Sequence, residues 1–256
     1  MKECNLSVIV PVHNEENRIA KTLDDCLLYF SKEYRENFEI ILVLNECADR
    51  TQDIVNTYNL KYPQIIAKVF HQRIGKGGAI KEGVQIANGD VILVVDADGS
   101  TSPDELHKLL RELRYSDATI GSRWLPGSNI GVKQSFTRRV TSRGFNLLVR
   151  TLLGLHLADT QCGAKAFKKV PIAEVLKQVG TTNFAFDVEL LYRMKRSGYM
   201  IKEIPITWED KAGSKVDLKK AVPSMFLALV KLRLLDSPFG YIIRKFNFGR
   251  IPGQTK

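Results

Sequence analysis

The chain has 256 residues, of which 44% are hydrophobic and 26% charged, and its 38 Lys+Arg against 28 Asp+Glu give a net charge of +10. This composition excludes a disordered tail, a collagenous or low-complexity chain and a disulfide-stapled miniprotein; the length suits one large α/β domain or at most two small ones. The four cysteines, Cys4, Cys26, Cys47 and Cys162, make no Cys-x-x-Cys pair, so neither a zinc site nor a disulfide framework is expected and a reducing compartment is the default.

In chain order, the apolar run Leu6 to Val12 predicts a strand, and Ile19, Leu23, Leu27 and Phe30 recur at helical spacing within 18–30. Further strands are predicted at Phe38 to Leu44, Ile65 to Phe70, Val91 to Val95 and Ala118 to Gly121, and helices at 51–62, 77–87 and 103–115. Ser102-Pro103-Asp104-Glu105 marks a helix start, with a capping hydroxyl, proline in the first turn and acids at the positive helix end. The alternation predicts βαβ units around a mostly parallel sheet. After Gly121 it stops: a basic helix is predicted over 134–153, another over 183–197, a strand over 199–207, and a last helix over 219–235. The apolar face of that last helix would hold Val222, Met225, Phe226, Leu229 and Leu232.

Ligands bind open parallel sheets at the carboxyl ends of the strands, so the polar residues that follow apolar runs come first. These are Pro11-Val12-His13-Asn14-Glu15, Asn45 to Thr51, and Asp96-Ala97-Asp98-Gly99-Ser100. Asp96 and Asp98, two apart at a strand end, can point the same way and hold one Mg²⁺ or Mn²⁺ that keeps positions for substrate phosphate; the plainer alternative is a polar turn before a helix. Gly75-Lys76-Gly77-Gly78 opens a helix where bare backbone N–H groups and the lysine could meet a phosphate, although it lacks P-loop spacing and also reads as an ordinary turn. Arg123 follows the fifth strand, with Arg138 and Arg139 shortly after; a guanidinium suits phosphate oxygens. Arg143 and Arg150 read as a solvated basic face. The four histidines show no metal-ligand spacing, and no Gly-x-Ser-x-Gly elbow is present.

Together, SVIVPVHNE (7–15), RIGKGGAIKEG (73–83), VVDADGST (94–101), GSR (121–123), FNLLVRTLLGL (145–155), DTQCGAKAF (159–167), FDVELLY (186–192), EIPITW (203–208) and GSKV (213–216) resemble the family 2 glycosyltransferases of GT-A fold. Within them the resemblance is to the dolichyl-phosphate sugar synthases, closest to the dolichyl-phosphate β-glucosyltransferase type. It implies an inverting transfer of a sugar, most simply glucose from UDP-glucose, to dolichyl or polyprenyl phosphate. It also implies that Pro11, His13, Glu15, Asn45 and Lys76 border the nucleotide sugar, that Ala97 contacts the ribose, and that Asp96 and Asp98 bind Mg²⁺ or Mn²⁺. Arg123, Arg139 and Lys215 fall where the family places cations around the acceptor phosphate, Asp159 and Gln161 lie in the sugar and acceptor loop, and Asp187 joins Asp96, Asp98 and Arg123 as a catalytic candidate. One segment departs from the family: Leu44 and Asn45 stand where two acids are usual, so this loop does not distinguish UDP from GDP or glucose from N-acetylglucosamine or mannose.

No stretch reaches the roughly 20 apolar residues a spanning helix needs; Ala221 to Leu235 is shorter and broken by Lys231 and Arg233. Residues 211–256 hold ten basic and two acidic residues, a net +8. The expected division is therefore a GT-A domain over 1–216 and a basic amphipathic helical extension over 217–256, with peripheral contact to the cytoplasmic face of a membrane. A sugar-1-phosphate nucleotidyltransferase and a basic nucleic-acid-binding module are the competing classes; the first lacks its glycine-rich N-terminal loop here, and no zinc-finger or RRM-like motif supports the second.

Overall fold

The computed structural model describes residues 5–131, 136–183, 185–209 and 218–237, with backbone alone over 136–142 and 218–224. The first half is the predicted alternation: β1 (Leu6–Val12), α1 (Ile19–Tyr34), β2 (Phe38–Asn45), α2 (Thr51–Lys61), β3 (Ile65–Phe70), α3 (Gly75–Ile86), β4 (Val91–Val94), α4 (Pro103–Glu112) and β5 (Ala118–Ser122). Then come β6 (Asn129–Ile130), α5 (Phe136–Leu153), β7 (Lys165–Lys168), α6 (Lys169–Leu176), α7 (Phe186–Arg196), β8 (Ile201–Pro205), β9 (Thr207–Trp208) and α8 (Leu218–Leu235).

The main sheet has seven strands in the order β3-β2-β1-β4-β7-β5-β8, and β7 alone runs against its neighbours. Because β7 is reversed, its amino end lies at the edge where the parallel strands end. The 159–164 segment that leads into it is thereby delivered to the ligand-binding edge. Alternate residues of each central strand feed two cores. Ile9, Ile41, Val43, Ile92 and Val94 pack with Ile80 and Val84 of α3 and Val188 and Leu191 of α7. Val8, Val10, Leu42 and Leu93 pack with Ile19, Leu23 and Phe30 of α1 and Leu106 and Leu109 of α4. Burial on both faces explains why these strands read as unbroken apolar runs.

Three expectations change. The four-residue strand β7 and the helix α6 that directly follows it were not foreseen, because DTQCGAKAFKK carries no clean period. The strand expected over 199–207 breaks at Ile206: Pro205 has no N–H to give, Ile206 N donates to Ser122 O, and Ile206 O accepts from Asn129 N, so the chain leaves the main sheet to pair β9 with β6. On α8, Met225, Leu229 and Leu232 join the core beside Phe145, Val149 and Leu153 of α5, whereas Phe226 is 42% exposed and off that face. The Val222 side chain lies outside the described residues, as do Lys211, Lys215 and residues 238–256. Among the described residues no helix is long and apolar enough to cross a membrane.

Candidate active site

The site is built from the loops that leave β1, β2, β4 and β5, the first turn of α3, the 159–164 segment and the start of α7. His13 and Asn45, from the first two loops, meet: His13 Nδ1 lies 2.6 Å from Asn45 O. A carbonyl can only accept, so Nδ1 carries the proton, and Nε2 is left as acceptor toward Asn14 Nδ2 at 3.4 Å. Asn45 is buried, and its Oδ1 accepts from Ile74 N at 2.8 Å, pinning the turn before α3. Asn14, in the left-handed region at φ 54°, accepts from Ala48 N at 2.7 Å. Glu15 is held by Arg18 at 2.6 Å, and its backbone N–H donates to Thr51 Oγ1. Asp49 takes N–H bonds from Glu16 and Thr51; burial alone would raise its carboxyl, but the Thr51 bonds hold it below the ordinary carboxylate range. Pro11 lies within β1, part exposed, opposite Val43.

Three acid–base pairs form the floor. Lys76 Nζ lies 2.7 Å from Asp96 Oδ1. Arg123 grips Asp159 through Nε at 2.6 Å and Nη2 at 2.9 Å, and the Arg123 backbone N–H joins them. Lys165, 1% exposed, donates to Asp187 Oδ1 at 2.8 Å and to Cys162 O. The pairs act on one another. Burial would raise the Asp96 carboxyl, yet the Lys76 ammonium, with Lys165 and Arg123 behind it, holds it below the usual range. Burial would likewise lower Lys76 and Arg123, and the acids beside them more than reverse this. Burial pushes the Cys162 thiol up to about 11, so it stays protonated and is no nucleophile.

Asp98 stands apart. Its Oδ1 accepts from Ser100 N at 2.9 Å, and it pairs with no cationic side chain among the described residues. Ser100 is 4% exposed, and its hydroxyl has no partner there. A free carboxylate with an unsatisfied oxygen two residues on fits a hard divalent ion that takes its other ligands from substrate and water; no cluster of three or more His, Cys, Asp or Glu exists among the described residues. Ala97, between the two acids, is buried, and its carbonyl accepts from Thr22 Oγ1 at 3.0 Å.

Within Gly75 to Gly78, Gly77 has another role than a phosphate contact. Gly77 N donates to Thr182 O at 2.9 Å, so it does not face a phosphate, and a Cβ at Gly77 would overlap the Phe186 ring. Gly77 is therefore required by close packing against α7, while Gly78 lies close to the Ile74 side chain. Arg143 and Arg150 are both exposed, as expected of a solvated basic face; the Arg143 guanidinium lies over the Trp124 ring at 5.1 Å, and Arg150 Nε donates to Leu157 O at 3.1 Å. The Arg138 and Arg139 side chains, and Lys215 with GSKV, lie outside the described residues.

Three contributors escaped the sequence reading. Lys165 was detectable as a lone charge inside the apolar run CGAKAF, which a buried ion pair explains. Glu203 accepts from Ala158 N and Asp159 N at 2.7–2.9 Å and so holds the loop that presents Asp159 and Gln161. Glu189 caps the 180–181 turn beside Lys76; neither glutamate has a signal in the sequence beyond its charge.

Residues 7–176 match the family model described as Glycosyl transferase family 2. The chain is 32% identical over 240 residues to a dolichyl-phosphate β-glucosyltransferase of Dictyostelium discoideum, covering 89% of this chain and 73% of that one. It is 34% identical over 224 residues to the Homo sapiens protein of that name, covering 82% and 69%. Among solved structures, glucosyl-3-phosphoglycerate synthase of Mycobacterium tuberculosis, in complex with Mn²⁺, UDP and glucosyl-3-phosphoglycerate, superposes with a TM-score of 0.66 at 18% identity, covering 91% of this chain and 79% of that one. That likeness establishes the shared GT-A-type fold.

Proposed function

The chain belongs to glycosyl transferase family 2, and from that membership we propose that it is a hexosyltransferase that moves glucose from UDP-glucose to dolichyl or polyprenyl phosphate, with inversion. The relatives, aligned over most of this chain, carry the name dolichyl-phosphate β-glucosyltransferase, and the superposed synthase was solved with UDP. One observation in the site carries the reading. Asp98 is a carboxylate without a cationic partner among the described residues, at the edge of a floor where Asp96, Asp159 and Asp187 are already paired.

An oxygen of the lipid phosphate forms a bond to the anomeric carbon as the bond from that carbon to the β-phosphate oxygen of the donor breaks, and UDP leaves with the electron pair. A phosphomonoester's second pKa is about 6, so the acceptor is largely dianionic near neutrality and needs no strong base. This agrees with Asp159 and Asp187 being ion-paired. Asp98, with Asp96 and the Ser100 hydroxyl nearby, would hold Mg²⁺ or Mn²⁺, and such an ion would supply positive charge for the departing diphosphate. The protein's task is then to position two polyanions that repel one another. Lys76 serves the donor diphosphate; Arg123, Arg139 and Lys215 serve the acceptor phosphate; Pro11, His13, Glu15, Asn45 and Ala97 line the nucleoside side; and Asp159, Gln161 and Asp187 shape the sugar pocket.

For acceptor access, we assign the body to 1–216 and a membrane-surface element to 217–256 on the cytoplasmic face. Support comes from the basic C-terminal segment and from exposed Leu147, Leu148, Phe226, Leu227 and Leu234 on the packed helices α5 and α8. The test is incubation with dolichyl phosphate, Mg²⁺ or Mn²⁺ and separately labelled UDP-glucose, UDP-N-acetylglucosamine and GDP-mannose, followed by organic extraction. Label from UDP-glucose alone in the lipid phase is expected; label from another donor replaces the assignment, and none in any arm overturns it.

A further inference from the structure

Glu189 lies on α7, 6% exposed, and spends a buried carboxylate on a short turn. It accepts from Gly180 N at 3.2 Å, Thr181 N at 2.9 Å and Thr181 Oγ1 at 2.7 Å. The next residue, Thr182, is the one that holds the start of α3. Its carbonyl accepts from Gly77 N at 2.9 Å and closes over Gly75, which has φ 73° and no room for a Cβ. One turn before Glu189 on the same helix, Phe186 fills the space over Gly77. Lys76 sits between those two glycines, so one neighbour is hydrogen-bonded to Thr182 and the other packed against it, directly after the turn that Glu189 caps.

A buried carboxylate is costly unless well satisfied, and here its donors come almost wholly from that one turn. Arg193, 3.8 Å away, is itself drawn to Asp236 at 2.8 Å. We infer that Glu189 is a positioning residue for Lys76: through Thr181 and Thr182 it fixes the backbone from which the ammonium reaches Asp96, and hence the place where that ammonium meets a nucleoside diphosphate. The clamp stands on these contacts alone; its consequence for the donor rests on the function proposed above.

Three variants test it. Glu189→Gln turns one acceptor oxygen into a donor facing N–H groups, Thr181→Val removes a single donor with little change of shape, and Thr181→Ser keeps that donor. Lys76 acetylation by a limiting reagent, read by peptide mass spectrometry against exposed Lys32, reports the clamp without any substrate. Labelling of Lys76 relative to Lys32 should rise about fivefold to tenfold in Glu189→Gln and Thr181→Val, as loss of a charge-assisted hydrogen bond implies, and stay at the wild-type level in Thr181→Ser. In glucosyl transfer the same two variants should raise KM for the donor about tenfold and leave KM for the lipid phosphate unchanged. Unchanged Lys76 labelling in both, or a parallel rise at Lys32, overturns the inference. Altered labelling in a chain that transfers no glucose upholds the clamp and overturns the reaction instead.

Discussion

The carboxylate of Asp96 rests against the bare α-carbon of Gly163, and a Cβ at that glycine would overlap Oδ2 of the aspartate. The glycine of DTQCG is therefore explained by the acid of VVDADGST, two segments brought together by the pairing of the reversed strand β7 with β4. Gly163→Ala should displace Asp96 and break its 2.7 Å contact with Lys76. We expect glucosyl transfer to fall at least about a hundredfold, in line with the cost of misplacing a reacting centre by about 1 Å, while circular dichroism stays native. Wild-type turnover in Gly163→Ala would show that Asp96 is not held where the site needs it.

Asp98→Ala should abolish transfer and remove its response to Mg²⁺ or Mn²⁺, with the melting temperature nearly unchanged, because Asp98 is bonded only to the amide of Ser100 among the described residues. Ser100→Ala removes an unpaired buried hydroxyl. It should weaken Mn²⁺ binding, measured by electron paramagnetic resonance with UDP present, without loss of stability. Retained metal-dependent turnover in Asp98→Ala excludes this carboxylate as the ligand.

Arg123 and Asp159 behave as one unit. Asp159 is fully buried, and Arg123→Gln leaves it without its charge partner, which should cost about 3–5 kcal/mol by denaturant unfolding. Arg123→Met combined with Asp159→Leu should recover most of that stability but no activity. Additive losses in the double variant would show that the two are not coupled.

The buried thiols set an alkaline limit. Burial raises Cys162 to about 11 and Cys26 to about 12, against an ordinary value of about 8.5. A folded thiol with a raised pKa keeps its proton while the unfolded one loses it. Stability from each is therefore complete below about pH 8.5 and is lost as pH rises toward the folded value, by about 1.4 kcal/mol per pH unit per thiol. Cys162→Ala should flatten the unfolding free energy between about pH 9 and 11 by roughly that slope. An unchanged slope would mean that the thiol ionises freely in the folded protein.

The β1 to β5 alternation and the three strand-end loops were legible because both-face burial writes itself as apolar runs and ligand-facing residues follow them directly. What stayed hidden was longer in range. Nothing local reports that Lys165 will face Asp187, that Glu203 will hold Ala158 and Asp159 from 45 and 44 residues away, or that Gly77 exists to admit Phe186. The role of Gly77 stayed hidden for this reason: glycine signals close approach, but the sequence does not say of what, and here it is the Phe186 ring. The break at Ile206 was visible in principle, since Pro205 cannot donate to a continuing ladder.

The three ion pairs of the floor also govern how this enzyme can change. Replacing one member of the Arg123–Asp159 or Lys165–Asp187 pair strands a buried charge, so drift there must move two positions together; the Lys76–Asp96 pair, with side chains 26% and 38% exposed, is less tightly bound by that rule. The loop after β2 works differently. His13 is bound to the backbone oxygen of Asn45, and Glu46 N is bound to Phe70 O, contacts that survive many side-chain exchanges. On the function proposed above, donor preference is thus open to single substitutions at the exposed Glu46 and Ala48, while the machinery beneath them stays locked.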